Sequence, residues 1–228
     1  QMLNGLMTPD ESITPPCITD VDSLIDAVRN CGMVGLGGAG FPTHVKFNVD
    51  PARIEALIVN GAECEPYITS DTRTMLDESE LVAEGLSHVM RYLNIPDAIL
   101  GIEKNKPECI AEMKRVTKEM SGVCVQALPS LYPQGGEKVL AYHATGRIVP
   151  QGKLPLDVGL IVMNCTTAAT IAHFINTNAK SIKIVAISLL RKVSFPLSRT
   201  LSPFSKPFYG TFFLTKKCAF LFSNRRLS

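Results

Sequence analysis

The chain has 228 residues, of which 46% are hydrophobic and 19% charged, and its formal net charge is +2. At about one and a half typical domain lengths it can bury a core of its own, which excludes a peptide or a disulfide-stapled miniprotein. It contains no uniformly apolar stretch of about 20 residues, which argues against a membrane-spanning helix.

The first predicted element is a helix that begins at Asp20 or Asp22 and ends at Gly32. Its apolar residues recur at helical spacing, an acidic residue stands at its start and a glycine at its end. Residues 1–19 are polar and proline-rich, so we expect them to be a linker from an upstream domain that is missing here.

Beyond this helix, short apolar runs alternate with helical patterns. We predict strands over 54–60, 98–103, 123–130 and 158–164, and helices over 81–94 and 107–120. The window from Val158 to Ala179 predicts a strand, a loop and then a helix. This alternation predicts an α/β fold, a Rossmann-like parallel sheet with helices on both faces, in which ligands bind at the carboxyl ends of the strands.

The last 50 residues differ in composition from the rest. Every acidic residue lies at or before Asp157, whereas residues 179–228 are basic and aromatic without any acid. Such a tail could bind nucleic acid or anionic lipid. It lacks the amphipathic period and repeated motifs of such segments, so we favour a tail that is not native family sequence, for example a shifted reading frame, and expect no nucleic-acid partner.

Metal chemistry is not indicated by the spacing of possible ligands. The seven cysteines include no CxxC pair, and the four histidines show no ligand spacing, so we expect no metal ligands.

The strongest local signal is GLGGAGFPT at residues 35–43, which leads to Lys46. Glycines let backbone N–H groups approach an anion closely, so the run suits a phosphate, although a tight turn would use the same residues. The run is neither a Walker A loop nor a dinucleotide-binding loop that follows a strand.

Three further polar motifs stand near predicted strand ends. NGAECEPY at 60–67 suits contacts to a ring or ribose, or a solvated acidic turn, and the nearby Asp71 could pair with these acids or cap the next helix. YPQGGEK at 132–138 and MNCTT at 163–167 offer polar groups that could also be ordinary loop chemistry.

Taken together and in this order, the four motifs closely resemble those of the RnfC family, the C subunits of Rnf electron-transport complexes. More distantly they are similar to the FMN- and NADH-binding subunit of respiratory complex I. The resemblance runs from about Thr19 to Thr177. It implies that residues 20–178 form a domain that binds FMN and exchanges hydride with NAD(H), within an oxidoreductase that transfers electrons between NAD(H) and iron–sulfur carriers and translocates ions.

The resemblance also implies roles for individual residues. Glu65 matches the acid that orients the nicotinamide nucleotide, and Phe41 would stack on the nucleotide's adenine. The residues implied to wrap the FMN phosphate or line the flavin pocket are Gly37, Gly38, Gly40, Lys46, Asn60, Glu63, Tyr132, Glu137, Asn164 and Thr166. The complex I pattern has glycine where this chain has Cys64, and an acid where it has Ala62.

Family members continue into a β-grasp domain and a region with cysteine ligands for 4Fe–4S clusters, and those cysteines are absent from this chain. By resemblance, the partners would be the other Rnf subunits, membrane-embedded ones included, and indirectly ferredoxin. The place would be the cytoplasmic face of the cell membrane. Two alternatives stay open: a soluble relative that feeds an amino-acid reductase, and a nucleotide-binding module without a redox role.

Overall fold

Four parallel strands form one sheet in the computed structural model, which describes residues 14–37, 40–63 and 68–177. The strands are β1 (Ala56–Gly61), β2 (Asp97–Glu103), β3 (Val123–Leu128) and β4 (Leu160–Asn164). Their order across the sheet is β3-β2-β1-β4. The chain therefore builds outward from β1 to β3 and then crosses to the other side of β1. In a parallel sheet this reversal opens a crevice at the carboxyl ends of the two strands where it occurs, here β1 and β4.

Seven α-helices accompany the sheet within the described residues. They are α1 (Val21–Asn30), α2 (Thr43–Phe47), α3 (Ser70–Asp77), α4 (Ser79–Tyr92), α5 (Pro107–Val116), α6 (Glu137–Thr145) and α7 (Cys165–Thr177). Short 3-10 helices cover Pro51–Arg53 and Pro155–Val158. None of the helices seen in the described ranges has both the length and the apolarity to cross a bilayer.

Both faces of the sheet are covered, as the sequence predicts, but unequally. The larger core cluster joins one face to α1, α4, α5 and α7, and includes the fully buried Leu57, Leu86 and Leu100. The smaller cluster packs α6 on the other face around Ile58 and Leu140. Because both faces are covered, every residue of β1 and β4 is buried, which explains why these strands are continuous apolar runs.

Two local predictions meet different outcomes. The α1 start is confirmed: the Asp20 carboxylate accepts a 2.8 Å hydrogen bond from the backbone N–H of Ser23, completing a capping box. The loop expected after the fourth strand is wrong, because α7 begins at Cys165, directly after Asn164 closes β4. Residues 1–13 of the predicted linker and the tail at 179–228 lie outside the described residues.

Candidate functional site at the carboxyl ends of β1 and β4

The glycine loop is closed at its base and reaches the β4–α7 junction. The Gly35 N–H donates to the Phe41 carbonyl at 2.8 Å, and a backbone bridge joins Val34 to Pro42. Next to this base, the Leu36 N–H donates to Thr167 Oγ1 at 3.0 Å. A β-carbon added to Gly37 would lie 3.2 Å from that of Asn164, so the loop lies against the end of β4 with little room for a side chain.

Of the other two glycines predicted to wrap the phosphate, the structure describes only Gly40. Gly40 adopts a φ of 61°, in the left-handed region that glycine occupies without strain. The predicted phosphate residue Gly38 lies outside the described residues. The loop is thus closed at its base, and Leu36 and Gly37 lie against the start of α7 and the end of β4.

Lys46 extends from α2 to the crevice. Its Nζ donates to the Val162 carbonyl of β4 at 2.8 Å and to Glu137 Oε1 at 2.9 Å. The same ammonium lies 5.9 Å from the centre of the Phe41 ring, which is 46% exposed. The Lys46 side chain keeps 27% of its surface exposed, so it places a positive charge at the edge of β4 that an anion in the crevice could reach.

Asn60 joins β1 to the loop that precedes α6. Its Oδ1 accepts from the Ala62 N–H, and its Nδ2 donates to the Gly135 carbonyl, both at 3.0 Å. This bond brings the third motif to the end of β1 and positions Glu137, the first residue of α6. Tyr132, from the same loop, is 81% exposed, so its phenol ring lies open to solvent.

Glu63 follows β1 and caps the start of α3. Its carboxylate accepts hydrogen bonds from the backbone N–H of Asp71 at 2.9 Å and from the N–H and hydroxyl of Thr72 at 3.2 and 2.8 Å. The side chain is 2% exposed, and Lys106 Nζ lies 3.7 Å from it. The acid that the resemblance places near the flavin therefore directs both oxygens at protein donors. Glu65, two residues further on, lies outside the described residues.

Asn164 and Thr166 meet Asp71 at the β4–α7 junction. Asn164 Nδ2 donates to Asp71 Oδ2 at 2.8 Å, and the Thr166 hydroxyl donates to Asp71 Oδ1 at 2.9 Å. Asp71 does pair with an acid of its neighbouring motif, through its backbone N–H, which donates to Glu63, while its carboxylate accepts from Asn164 and Thr166. Burial, with the nearby Asp71 and Glu63 carboxylates, raises the pKa of the Cys165 thiol well above its usual range, so this thiol stays protonated.

Most predicted site residues that the structure describes converge at the carboxyl ends of β1 and β4. Sequence reasoning missed Lys106 and Thr167, and it left the role of Asp71 open. Thr167 lies inside the MNCTT motif, and Lys106 follows β2 by three residues, so their position at strand ends was the available signal. Across the described ranges, no cluster of three or more His, Cys, Asp or Glu side chains is arranged to hold a metal ion.

A parallel sheet whose strand order reverses between β1 and β4, with polar side chains at the carboxyl ends of these strands, defines an open α/β domain of the type that binds ligands at this edge. Residues 28–173 match the family model described as the Nuo51 FMN-binding domain. The chain therefore belongs to this family.

Curated relatives support the narrower resemblance. The chain is 46% identical over 153 residues to the C subunit of a proton-translocating ferredoxin:NAD+ oxidoreductase complex from Clostridium ljungdahlii, covering 67% of this chain and 33% of that protein. It is 42% identical over 174 residues to the C subunit of the Na+-translocating complex from Acetobacterium woodii, covering 75% of this chain and 39% of that protein. The resemblance to the RnfC family is confirmed, and the chain spans between a third and two fifths of the length of these relatives.

Solved structures support the fold. An NAD+-reducing NiFe hydrogenase in the air-oxidised state matches with a TM-score of 0.62 and 26% identity, over 78% of this chain and 35% of that chain. The H2-reduced state matches with the same TM-score at 23% identity, over 75% of this chain and 34% of that chain. The predicted α/β class is confirmed by the parallel sheet and by this likeness.

Proposed function

We propose that this chain binds FMN in the β1–β4 crevice and holds it for hydride exchange with NAD(H). The proposal rests on one observation: the glycine loop meets Asn164 at the carboxyl end of β4, and Lys46 contacts the same strand two residues before that end. The family to which the chain belongs is described by FMN binding, and the relatives are named for a reaction that uses NAD+.

The residues present suit a flavin phosphate. Gly37 lies so close to Asn164 that a side chain there would fill the space between the loop and the strand end. Lys46 supplies a positive charge, and its present acceptor Glu137 is 46% exposed, so a phosphate dianion can compete for the ammonium. Gly40, and by resemblance Gly38, would add backbone N–H groups.

The remaining residues bind and orient. Asn60 and Asn164 stand opposite each other in register on β1 and β4, so they offer two amide groups at one level of the crevice. Glu65 is the proposed orienting acid for the nicotinamide, while Phe41 and Tyr132 offer exposed aromatic surface to a nucleotide. Bound FMN supplies the hydride chemistry, whereas the protein supplies position and electrostatics.

The proposal is tested by incubating the purified chain with FMN, desalting it and adding NADH without oxygen. We expect retained flavin absorption at about 450 nm that bleaches with NADH. Lys46→Met should weaken FMN binding about tenfold or more, because a charge-assisted contact to phosphate is lost. Lys118→Met is the matched control, since that lysine is 79% exposed and lies between α5 and β3, at the opposite edge of the sheet. No flavin retention by the wild-type chain would contradict the proposal, and nucleotide binding without flavin would favour the non-redox module.

We also propose that the chain acts within an ion-translocating ferredoxin:NAD+ oxidoreductase. Its relatives are named as C subunits of such complexes, so its partners would be the other subunits, membrane-embedded ones included, and ferredoxin would be reached through them. The chain would then lie peripherally on the cytoplasmic face of the membrane. Co-purification of tagged chain with those subunits from detergent-solubilised membranes tests this, and recovery with an amino-acid reductase instead would favour the soluble alternative.

A further inference from the structure

A single carboxylate joins the first turn of α3 to the β4–α7 junction. Asp71 Oδ2 accepts from Asn164 Nδ2 at 2.8 Å, and Asp71 Oδ1 accepts from the Thr166 hydroxyl at 2.9 Å. Both partners are more than nine-tenths buried. A carboxylate offers an acceptor oxygen to each partner, whereas an amide at this position would offer one acceptor and one donor.

The Asn164 amide is held at both ends. Its Oδ1 accepts from the backbone N–H groups of Thr166 at 2.9 Å and Thr167 at 3.4 Å, as a helix-capping side chain does. Its Nδ2 is directed to Asp71. An amide nitrogen carries two hydrogens, so one N–H remains after the bond to Asp71, and the orientation of that N–H is fixed by the other contacts.

Asp71 is itself held in place through its backbone. Its N–H donates to Glu63 Oε1 at 2.9 Å, and the following Thr72 donates twice to the other carboxylate oxygen. Lys106 Nζ donates to the Glu63 carbonyl at 3.2 Å and lies 3.6 Å from Glu103 Oε2. The first turn of α3 is therefore fixed to the ends of β1 and β2, and the Asp71 carboxylate has a defined position relative to the crevice.

We infer that Asp71 is a positioning residue for FMN binding, which acts by fixing the Asn164 amide so that its second N–H is available to the ligand. This inference rests on the proposed function. Asp71 does not touch the flavin in this account; its effect passes through Asn164. The separation of the two residues by 93 positions explains why no local motif shows the pair.

The test is a double-mutant cycle on FMN affinity, measured by quenching of flavin fluorescence with the full chain. Asp71→Asn should weaken FMN binding about tenfold, because a neutral amide replaces the carboxylate and the charge-assisted hydrogen bond that holds Asn164 Nδ2 is lost. In an Asn164→Ala background, which itself weakens binding, Asp71→Asn should cause less than about a further twofold loss. Asp77→Asn is the matched control. Asp77 lies on the same helix, and its carboxylate pairs with Arg73 near the surface.

Apo unfolding temperatures separate positioning from general destabilisation. A merely structural role would lower the unfolding temperature of Asp71→Asn while leaving its affinity for FMN unchanged, and this would overturn the inference. Independent, multiplying losses of affinity for Asp71→Asn and Asn164→Ala would also overturn it.

If Asp71→Asn does not fold, the same cycle is run with Asp71→Ser, because serine is well tolerated at the start of a helix. A wild-type chain without FMN affinity would overturn the proposed function and this inference together, whereas wild-type binding with multiplying losses overturns the inference alone.

Discussion

Gly85 of α4 packs directly against the backbone of α7, and its replacement by alanine should destabilise the fold. A β-carbon built on Gly85 would lie 1.9 Å from the carbonyl oxygen of Ala168 and 2.6 Å from its carbonyl carbon. These atoms are backbone within α7, so no side-chain rotation relieves the overlap. The two helices must separate by about 1.4 Å for the carbon–oxygen distance to reach the ~3.3 Å of an ordinary close contact.

The expected magnitude follows from two opposing effects. Overpacking of a core contact costs about 1–3 kcal/mol or more, and a backbone clash belongs at the upper end of that range. Alanine is favoured over glycine in a helix interior by about 1 kcal/mol, which offsets part of this cost. We expect Gly85→Ala to lower the free energy of unfolding by about 2 kcal/mol, which corresponds to roughly 4–8 °C in unfolding temperature for a domain of this size.

Thermal and urea unfolding of the full chain, followed by far-UV circular dichroism, measure this loss. Ser87→Ala is the matched control, because Ser87 is an exposed position two residues further along α4. It should leave stability unchanged or raise it by a few tenths of a kcal/mol. A Gly85→Ala variant as stable as the control would refute the reasoning, since it would mean that α4 and α7 separate without cost.

Three further predictions concern individual groups. Glu63→Gln should lower stability by about 2 kcal/mol in urea unfolding, because it removes charge from a buried cap beside Lys106; unchanged stability would contradict the capping role. Burial raises the pKa of Cys31 to about 12. Iodoacetamide at pH 8 should therefore label the exposed Cys124 well before Cys31, as followed by peptide mapping. Equal labelling rates for the two thiols would contradict the raised pKa of Cys31. Hydrogen bonds from Arg115 lower the pKa of Glu112 to about 2. Their stabilising effect is therefore present above the ordinary glutamate pKa of about 4.3 and is lost as the pH falls toward 2. Arg115→Leu should raise the Glu112 pKa in a carbon-13 NMR titration, and an unchanged pKa would exclude the contact in solution.

The strands and most long helices are predictable from sequence because each satisfies a local rule. Buried parallel strands are continuous apolar runs, and α1 carries its own cap at Asp20. Helix α3 is different. Thr69 precedes it and makes no capping hydrogen bond from its side chain, while the cap comes from Glu63, seven residues before the helix starts. No local signature predicts a cap supplied from the end of the preceding strand.

The site is only partly predictable because its contacts depend on pairs distant in the chain. Asn60 and Asn164 are 104 positions apart, yet they face each other in register because β4 returns to the side of β1 opposite β2. The sequence places each asparagine at a strand end, but it does not say which strands are neighbours. Strand order decides which strand ends meet, and the order β3-β2-β1-β4 places the second and fourth motifs side by side.

The structural and the ligand-binding interpretations of these motifs are also not exclusive. The glycine loop is closed at its base by the bond from the Gly35 N–H to the Phe41 carbonyl, and the same loop carries Gly37 to the end of β4. The acidic segment after β1 supplies a helix cap through Glu63, and that cap fixes the carboxylate of Asp71 beside Asn164. A residue that shapes the backbone at a switch point also determines where the binding groups lie. Variants of such residues should therefore affect stability and ligand affinity together, whereas a positioning residue such as Asp71 should change affinity more than stability.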